Sequence, residues 1–382
     1  MKRLANFFKP KNAPKLSAAS DKVSVTFEQS SMTSEWDKSN RVLCFNLSDL
    51  NFGKAFGVPN FVRVWLPHLV RHHWQDFDLR YHTSEPLPRY VEELLQLNGV
   101  TEFDDQSGFF QINFSHFQKR LKGCRKLMLF VHDFHALTIP WKYKENNLNL
   151  LIGNVHYSDV VVTYFPYSKR ICEDYKAKRV VELPLFSILD LEEHCDSELA
   201  QELWNKTGKK IFYPSDCQPH KNHYTLIKAF AELRREDPDV KLVLTGFRED
   251  REHCLKIQDL IAELNLGDSV IWYGPVQDGD VVELYRACDI VVQASLAEGG
   301  AMIATEALSL QKAVCVAGIP QARAALQQFD TESVFWFEPL STSELISAMK
   351  DALAAAPNDC GMLQQLLDNR NLAAERVSQS WL

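Results

Sequence analysis

The sequence predicts an α/β protein of two domains, each built around a doubly wound parallel sheet, and three observations carry this prediction. The chain has 382 residues, which is long for one hydrophobic core and suits two domains. Its 46% hydrophobic and 24% charged content is that of an ordinary globular protein. Beyond residue 209, apolar runs of four to six residues alternate with helical stretches, as expected of strands joined by crossover helices.

The first half of the chain is predicted to contain an extension followed by a domain. Residues 1–39 are polar and rich in Ser and Lys, which is typical of an extension, and residues 40–188 should form the first domain. Its apolar runs predict strands at 42–45, 127–131, 160–162 and 180–183, and an apolar stripe at helical spacing predicts a helix at 61–72.

The second half follows the β-α pattern more regularly. Residues 189–209 are polar and should connect the domains, residues 210–356 should form the second domain, and residues 357–382 a helical tail. We expect strands at 210–213, 240–245, 270–273, 289–292, 313–317 and 334–337, with helices such as 224–235 and 280–287 between them. Ligands of such sheets bind at the carboxyl ends of the strands, so the cleft between the domains is the expected active site.

Composition excludes several classes of partner and site. The formal net charge of −8 argues against nucleic acid, whose binding depends on Lys and Arg neutralising phosphates. The nine cysteines are odd in number and contain no Cys-x-x-Cys pair, so neither a zinc cage nor a complete disulfide framework is indicated. A reducing, cytoplasmic compartment fits this cysteine pattern.

The chain has no run of about 18 apolar residues, so no membrane-spanning helix is expected. Residues 1–15 lack the apolar stretch of a signal peptide. They combine five cations with Leu4, Phe7 and Phe8, which would suit a basic arm on the cytoplasmic face of an anionic membrane. A solvated tail is the alternative explanation.

The most informative motif is a pair of carboxylates, Glu298 and Glu306, that follows the apolar run 290–292. Gly299 and Gly300 should open a helix between them, and eight residues of helix rise about 12 Å. That rise is roughly the span from the sugar to the ribose of a nucleotide-diphosphate sugar. Because a helix N-terminus attracts phosphate, one carboxylate could hold sugar hydroxyls, the other ribose hydroxyls, and the backbone the diphosphate.

Other strand ends of the second domain carry residues that suit the same ligand. Lys221 lies in the loop after the strand at 210–213 and could reach a diphosphate as a point charge, while Asn222 could cap the next helix. Gly246 and Gly274 each follow a strand, where a backbone without a side chain can approach a ligand closely. Taken singly, such residues are more often a surface lysine and plain turn glycines.

These motifs occur in the order found in a known family. The string Pro-His-Lys-Asn-His at 219–223, Gly246, residues 274–276 and the Glu298–Glu306 segment resemble the C-terminal domain of retaining GT-B glycosyltransferases of family 4. Pro-His-Lys-Asn-His is similar to the string in bacterial surface-polysaccharide glycosyltransferases of this group. The resemblance covers residues 210–355 closely and 40–185 more loosely, and implies two Rossmann-like domains facing a cleft.

The resemblance implies a role for each matching residue. Glu298 would lie beside the anomeric carbon, Glu306 would accept hydrogen bonds from the ribose, and Lys221 would neutralise the diphosphate. His132 matches a family histidine that bonds the donor sugar, although a structural histidine at a strand end is the alternative. The implied catalytic residues are Glu298, His132 and Lys221, and the implied donor-binding residues are Glu306, Gly299, Gly300, Gly246, Gly274, Val276, His220 and Ala301.

The reaction implied by the resemblance moves a hexosyl unit from a nucleotide-diphosphate sugar to an acceptor hydroxyl, with retention at the anomeric carbon. GDP-mannose is the first donor to consider and dTDP-rhamnose the next, with a saccharide or a lipid-linked acceptor in polysaccharide biosynthesis. No metal and no cofactor besides the donor is implied. The strings 237–239 and 278–280 are Asp-x-Asp, but each borders a helix and indicates capping or turns rather than a magnesium site.

Two other functions stay open at this point, because a fold does not fix a reaction. The first is a nucleotide-sugar epimerase or phosphorylase of the same architecture. The second is a non-catalytic scaffold that binds a sugar nucleotide or glycan.

The chain departs from the family pattern at several positions. Asp216 stands where the family carries Arg, so either His220 supplies part of the missing positive charge or donor binding is weaker. Gly300 stands where the family carries Phe, which should leave the turn intact. The glycine-rich loop of the first domain is represented only by Gly53 and Gly57. Only Leu382 follows Ser380-Trp381, so the helix that crosses back onto the first domain is expected to be short or absent.

Overall fold

The computed structural model describes residues 41–380 apart from 51–57, 72–73, 75–76, 105–107, 116, 141–144, 188, 193, 249, 328, 330–331 and 357–360. The predicted extension at 1–39, with its basic arm, and the glycines Gly53 and Gly57 therefore lie outside the described residues. Within the described part of the chain, no helix is both long and apolar enough to traverse a lipid bilayer.

The first domain is a seven-stranded parallel sheet covered by helices. Its elements are β1 (Arg41–Asn46), α1 (Val58–Arg71), β2 (Phe77–His82), α2 (Arg89–Leu97), β3 (Thr101–Glu102), β4 (Phe110–Asn113), β5 (Lys126–Phe130), α3 (His135–Thr138), α4 (Glu145–Tyr157), β6 (Val160–Thr163), α5 (Pro166–Asp174) and β7 (Val180–Glu182). The strand order is β3-β2-β1-β4-β5-β6-β7, so the winding reverses between β1 and β4.

The second domain is a six-stranded parallel sheet of the same design. Its elements are α6 (Glu198–Trp204), β8 (Lys210–Pro214), a 3₁₀ turn (Pro219–Lys221), α7 (His223–Glu236), β9 (Lys241–Thr245), α8 (Arg251–Glu263), β10 (Val270–Gly274), α9 (Asp278–Ala287), β11 (Ile290–Gln293), α10 (Met302–Ser309), β12 (Ala313–Ala317), α11 (Pro320–Leu326), β13 (Val334–Phe337), α12 (Thr342–Ala354) and α13 (Met362–Gln379). The order β10-β9-β8-β11-β12-β13 reverses between β8 and β11. The predicted α/β class with two doubly wound sheets is confirmed.

Three strands of the first domain were not predicted, and their side chains explain why. In β2, Asp78 and Arg80 alternate with apolar residues, and β3 is only two exposed residues long. In β4 the buried residues include Gln111 and Asn113, which interrupt the apolar pattern that marks a buried strand.

Those two amides belong to a hydrogen-bonded network at the winding reversal. The Asn46 Nδ2 group donates to Asn113 Oδ1 at 2.9 Å, and Gln111 Nε2 donates to the same oxygen at 2.6 Å. The Gln118 amide donates to the carbonyls of Asn46 and Ser48 at 2.8 and 2.6 Å. Buried amides are tolerated here because each is bonded, and the network fixes the loop after β4 against β1.

Helix α13 returns the chain to the first domain. The Asn369 Nδ2 group donates to the Leu185 carbonyl at 2.7 Å, and the Arg376 guanidinium donates to the Glu182 carbonyl at 3.1 Å. From the first domain, Arg179 donates to the Ser380 carbonyl at 2.8 Å. The expectation of a short or absent crossing helix was wrong, because the crossing is made by the 18 residues that precede Ser380.

Candidate active site

A cavity of about 480 Å³ lies between the two domains, where the strands of both sheets end. The first domain contributes the residues after β5 and β6, and the second contributes the loops after β8, β9, β10 and β11. Nine of the predicted site residues line this cavity: His132, His220, Lys221, Gly246, Val276, Glu298, Gly299, Gly300 and Glu306. The sheet topology thus brings together residues that are far apart in the sequence.

Lys221 and Glu298 form an ion pair in the wall of the cavity. The Lys221 Nζ atom lies 2.6 Å from Glu298 Oε1, and both side chains are largely buried. Burial disfavours the ammonium, but Glu298 outweighs it and leaves the pKa of Lys221 raised. The Tyr213 hydroxyl donates to the Lys221 carbonyl at 2.7 Å and lies 3.1 Å from Ser295 Oγ, so it joins the loop after β8 to the loop after β11.

The turn between Glu298 and helix α10 differs from the prediction. Helix α10 begins at Met302, so Glu298 lies in the preceding turn, and the 12 Å helical rise invoked for the Glu298–Glu306 pair does not apply. The buried Gln293 side chain holds this turn: its Oε1 accepts from the Ala304 backbone at 3.1 Å, and its Nε2 donates to the Gly300 carbonyl at 3.4 Å. Sequence reasoning missed Gln293, which ends an otherwise apolar strand.

Glu306 is buried near the floor of the cavity. The Tyr285 hydroxyl donates to Glu306 Oε2 at 2.9 Å. Burial raises the pKa of Glu306 from 4.5 to about 7, and hydrogen bonds from Tyr285 and Ser187 oppose only part of that rise. The carboxyl group is therefore divided between its protonated and ionised forms near neutral pH.

His132 follows β5 and faces the cavity, but protein groups bond both nitrogens of its ring. Its Nε2 lies 2.7 Å from the Phe114 carbonyl, which can only accept, so this nitrogen carries the hydrogen. The Tyr164 hydroxyl lies 2.9 Å from Nδ1. These two contacts fix the ring, and a hydrogen bond to a sugar would replace one of them.

Asp133 and His135 of the first domain also line the cavity, although the sequence did not single them out. His135 Nε2 is buried without a hydrogen-bond partner among the described residues, and its ring centroid lies 5.3 Å from that of His220 in the second domain. The Asp133 carboxylate accepts from the His135 backbone at 2.8 Å. Their sequence signal is their position shortly after the buried strand β5.

Asp216, where the resemblance implies an Arg, holds two loops together. Its carboxylate accepts from the Phe247 backbone at 2.7 Å and so ties the loop after β8 to the loop after β9. At the same junction, a side chain at Gly246 would place Cβ 2.6 Å from the Ser215 carbonyl oxygen. Gly246 also has a φ of +95°, which favours glycine.

Two predicted donor-binding residues do not line the cavity. The Gly274 carbonyl accepts from the Gly246 backbone at 2.9 Å, and the Ala301 carbonyl accepts from the Thr305 backbone at 2.9 Å. Both therefore support the loops that do line it. Asn222, predicted to cap a helix, does precede α7, but its amide donates to the carbonyls of Ala294 and Pro339 instead.

The two Asp-x-Asp strings lie at helix ends, as predicted. The Asp237 carboxylate accepts from the Asp239 backbone at 3.3 Å just after α7, and Asp278 and Asp280 lie in the first turn of α9. Within the described ranges, no three His, Cys, Asp or Glu side chains are grouped so as to hold a metal ion.

Comparison with known proteins identifies the second domain most clearly. Residues 196–362 match the family model described as glycosyl transferases group 1. The chain is 26% identical over 217 residues to the alpha-monoglucosyldiacylglycerol synthase of Streptococcus pneumoniae, covering 55% of this chain and 48% of that protein. It is 31% identical over 108 residues to the D-inositol 3-phosphate glycosyltransferase of Stackebrandtia nassauensis, covering 27% of this chain and 24% of that protein. The chain thus spans less than half the length of these relatives.

Solved structures share the whole architecture. Anabaena Alr3699/HepE in complex with UDP and glucose superposes with a TM-score of 0.67 at 17% identity, covering 89% of this chain and 100% of that one. WaaG, a glycosyltransferase involved in lipopolysaccharide biosynthesis, superposes with a TM-score of 0.58 at 14% identity, covering 88% and 98%. The chain therefore has the GT-B fold of two facing Rossmann-like domains.

Proposed function

We propose that the protein is a retaining glycosyltransferase, which transfers a hexosyl unit from a nucleotide-diphosphate sugar to an acceptor hydroxyl. The observation that carries this proposal is the set of groups around one helix N-terminus. Glu298 precedes α10, Glu306 lies within it, and Lys221 stands 2.6 Å from Glu298, all in the wall of the interdomain cavity. A match of residues 196–362 to a glycosyltransferase family supports it.

The donor would lie along the amino end of α10. The Ala304 backbone N–H is bonded to Gln293, whereas the N–H groups of Met302 and Ile303 belong to the first helical turn, whose dipole favours phosphate. A diphosphate there would compete with Glu298 for the Lys221 ammonium. Release of Glu298 from that pair would free its carboxylate for the sugar, so that donor binding itself prepares the site.

In the proposed glycosyl transfer, side chains of the cavity stabilise the charge that develops on the leaving diphosphate. The bond between the anomeric carbon and the diphosphate oxygen breaks, and its electron pair leaves with the diphosphate. The acceptor oxygen bonds to the same face of the carbon, and its proton passes to the departing diphosphate. Lys221 stabilises the negative charge that develops on that leaving group, and no metal or further cofactor is proposed.

The donor is proposed to be GDP-mannose first and dTDP-rhamnose next. UDP-glucose is the matched comparison, because the HepE structure holds UDP and glucose. A thermal-shift screen of these three donors ranks them directly, since a bound donor stabilises the fold by RT ln(1 + [L]/Kd). If none of the three donors raised the unfolding temperature, the assignment of the cavity as a donor site would be contradicted.

An acceptor-dependent assay tests the reaction. Release of free nucleoside diphosphate that requires an acceptor saccharide or glycolipid is the expected result. An epimerised donor without acceptor would identify an epimerase, and donor binding without turnover over any acceptor would identify a sugar-nucleotide-binding scaffold. Either result would overturn the proposal.

The acceptor is proposed to be a saccharide or a lipid-linked molecule at the cytoplasmic face of a membrane. One relative is named as a glucosyldiacylglycerol synthase. On the first domain, residues 119–126 carry five exposed Lys and Arg side chains and no acidic residue, which suits an anionic lipid surface.

Vesicle sedimentation checks this membrane contact. Binding to phosphatidylglycerol vesicles should fall in Lys122→Glu/Arg125→Glu, and neutral phosphatidylcholine vesicles serve as the control. Equal binding of the variant and the parent protein to anionic vesicles would remove this surface from the proposal.

A further inference from the structure

The turn between Glu298 and helix α10, called the donor turn below, contains Gly299 and Gly300. Both glycines lie directly against the first domain. A Cβ atom at Gly299 would lie 2.5 Å from the His132 carbonyl oxygen, and one at Gly300 would lie 2.0 Å from Phe165 Cε1. Neither glycine is among the residues with a positive φ, so a left-handed backbone is not what requires glycine here. A neighbouring domain, not the backbone, excludes a side chain at these positions.

Phe165 is well fixed to reach that turn. It follows the end of β6 and precedes Pro166, which opens α5, and its carbonyl accepts from the Lys169 backbone at 3.0 Å. Its ring is buried, with 4% of the residue exposed, and packs edge-on to Tyr164 at 5.9 Å between centroids. The aromatic side chain that contacts the turn is thus supplied by the opposite domain.

Gly300 leaves a space at this turn, and the Phe165 ring of the first domain fills it. An aromatic on the turn would support it within the second domain alone. An aromatic from the first domain supports it only while the domains are together.

We propose that Phe165 is a positioning residue whose ring takes the place of a side chain at position 300, so that the donor turn reaches its working geometry only when the domains close. This inference rests on the proposed transferase function for its consequence in turnover. The contact itself is independent of that function. Because of this contact, the donor site is completed only when the cleft between the domains closes.

The first experiment measures closure without any donor. Gly300→Ala should hold the domains apart, because its methyl group overlaps the Phe165 ring, and small-angle scattering should show a larger radius of gyration. Hydrogen exchange should rise at residues 132–134 and 299–302. Adding Phe165→Ala should restore the compact form, since the ring that blocks the methyl group is removed.

Gly153→Ala is the matched control, because a Cβ there meets nothing within 4 Å. Circular dichroism verifies that each variant is folded. The proposal would be overturned if the radius of gyration of Gly300→Ala were no larger than that of Gly153→Ala. It would also be overturned if the double variant had the same radius of gyration as Gly300→Ala.

The second experiment separates positioning from donor binding. Phe165→Ala should lower turnover about 100-fold, since displacement of a reacting group by about 1 Å has that effect, while the Kd of free nucleoside diphosphate changes less than about twofold. Phe165→Leu should recover part of the turnover. A parallel loss of nucleotide affinity and turnover would contradict a positioning role.

Failure of this proposal can be told apart from failure of the proposed function. If the double variant restores closure but no donor is turned over by the parent protein, the domain contact stands and the transferase assignment is wrong. If the parent protein turns over donor and Phe165→Ala does so equally fast, the transferase stands and the positioning role is wrong.

Discussion

The buried carboxyl group of Glu306 changes its protonation near neutral pH. Its pKa is raised by burial from 4.5 to about 7, so the unfolded chain loses this proton at lower pH than the folded chain does. At this group the folded state binds more protons between these values, so the contribution of Glu306 to stability falls as pH rises from 4.5 through 7. The loss amounts to about 3 kcal/mol for a shift of this size.

Glu306→Gln should flatten this part of the stability profile. The amide cannot ionise, so the free energy of unfolding from urea titrations should change less between pH 5 and pH 8 than in the parent protein. Affinity for a nucleoside diphosphate should rise with pH through about 7 in the parent protein only, because the proposed contact with the ribose depends on the ionised carboxylate as acceptor. A variant that kept both slopes would show that Glu306 causes neither.

The Lys221–Glu298 pair predicts opposite effects on binding and turnover. Glu298→Gln removes the carboxylate that competes with the diphosphate for Lys221, so the Kd of a nucleoside diphosphate should stay the same or decrease. Turnover should fall about 100-fold or more, as when an electrostatic contact to the reacting centre is lost. Calorimetry and the acceptor-dependent assay measure the two effects, with the exposed Glu232→Gln as control. Weaker nucleotide binding in Glu298→Gln would contradict this assignment.

Single residues also show what the sequence could and could not predict at the site. The spacing of Glu298 and Glu306 and the glycines between them predicted a segment that does line the interdomain cavity. Gln293 could not be predicted, since its role arises only when α10 folds back over β11. The hydrogen bonds of His132 could not be predicted either, because its partners Phe114 and Tyr164 lie at the ends of other strands.

At the scale of elements, the loops after β8 and β9 are joined by Asp216. Asp216→Arg removes the acceptor for the Phe247 backbone, so it should lower the free energy of unfolding by about 1–3 kcal/mol. Asp216→Asn retains an oxygen at this position and should cost less. Urea denaturation compares the two variants, and an Asp216→Arg protein as stable as the parent would show that the bond contributes little.

The sheets differ in how far their strands could be predicted. All six strands of the second sheet are apolar runs within a residue or two of their predicted positions, because helices cover both faces. In the first sheet, β4 carries Gln111 and Asn113 in its buried interior. Hydrophobic periodicity cannot detect a strand whose core is polar and satisfied by a distant loop.

At the scale of the whole molecule, α13 is hydrogen-bonded to the first domain, so the two domains should unfold together. Asn369→Ala removes its bond to the Leu185 carbonyl and should lower the midpoint of thermal unfolding by about 2–4 °C. Calorimetry should also show the single transition broadening as the domains separate. Gln364→Ala, which removes a bond within the helix only, is the control. An equal shift in both variants would show that the effect is local to α13.

The return of α13 to the first domain also fixes the order in which the protein can be completed during synthesis. The carbonyls of Glu182 and Leu185 receive their partners from residues 376 and 369, which leave the ribosome only after the entire second sheet. The β7 edge of the nascent first domain therefore stays without these partners until almost two hundred further residues have been translated. Premature termination anywhere in that interval would release a first domain with an unprotected edge, which is a natural target for chaperones and proteases.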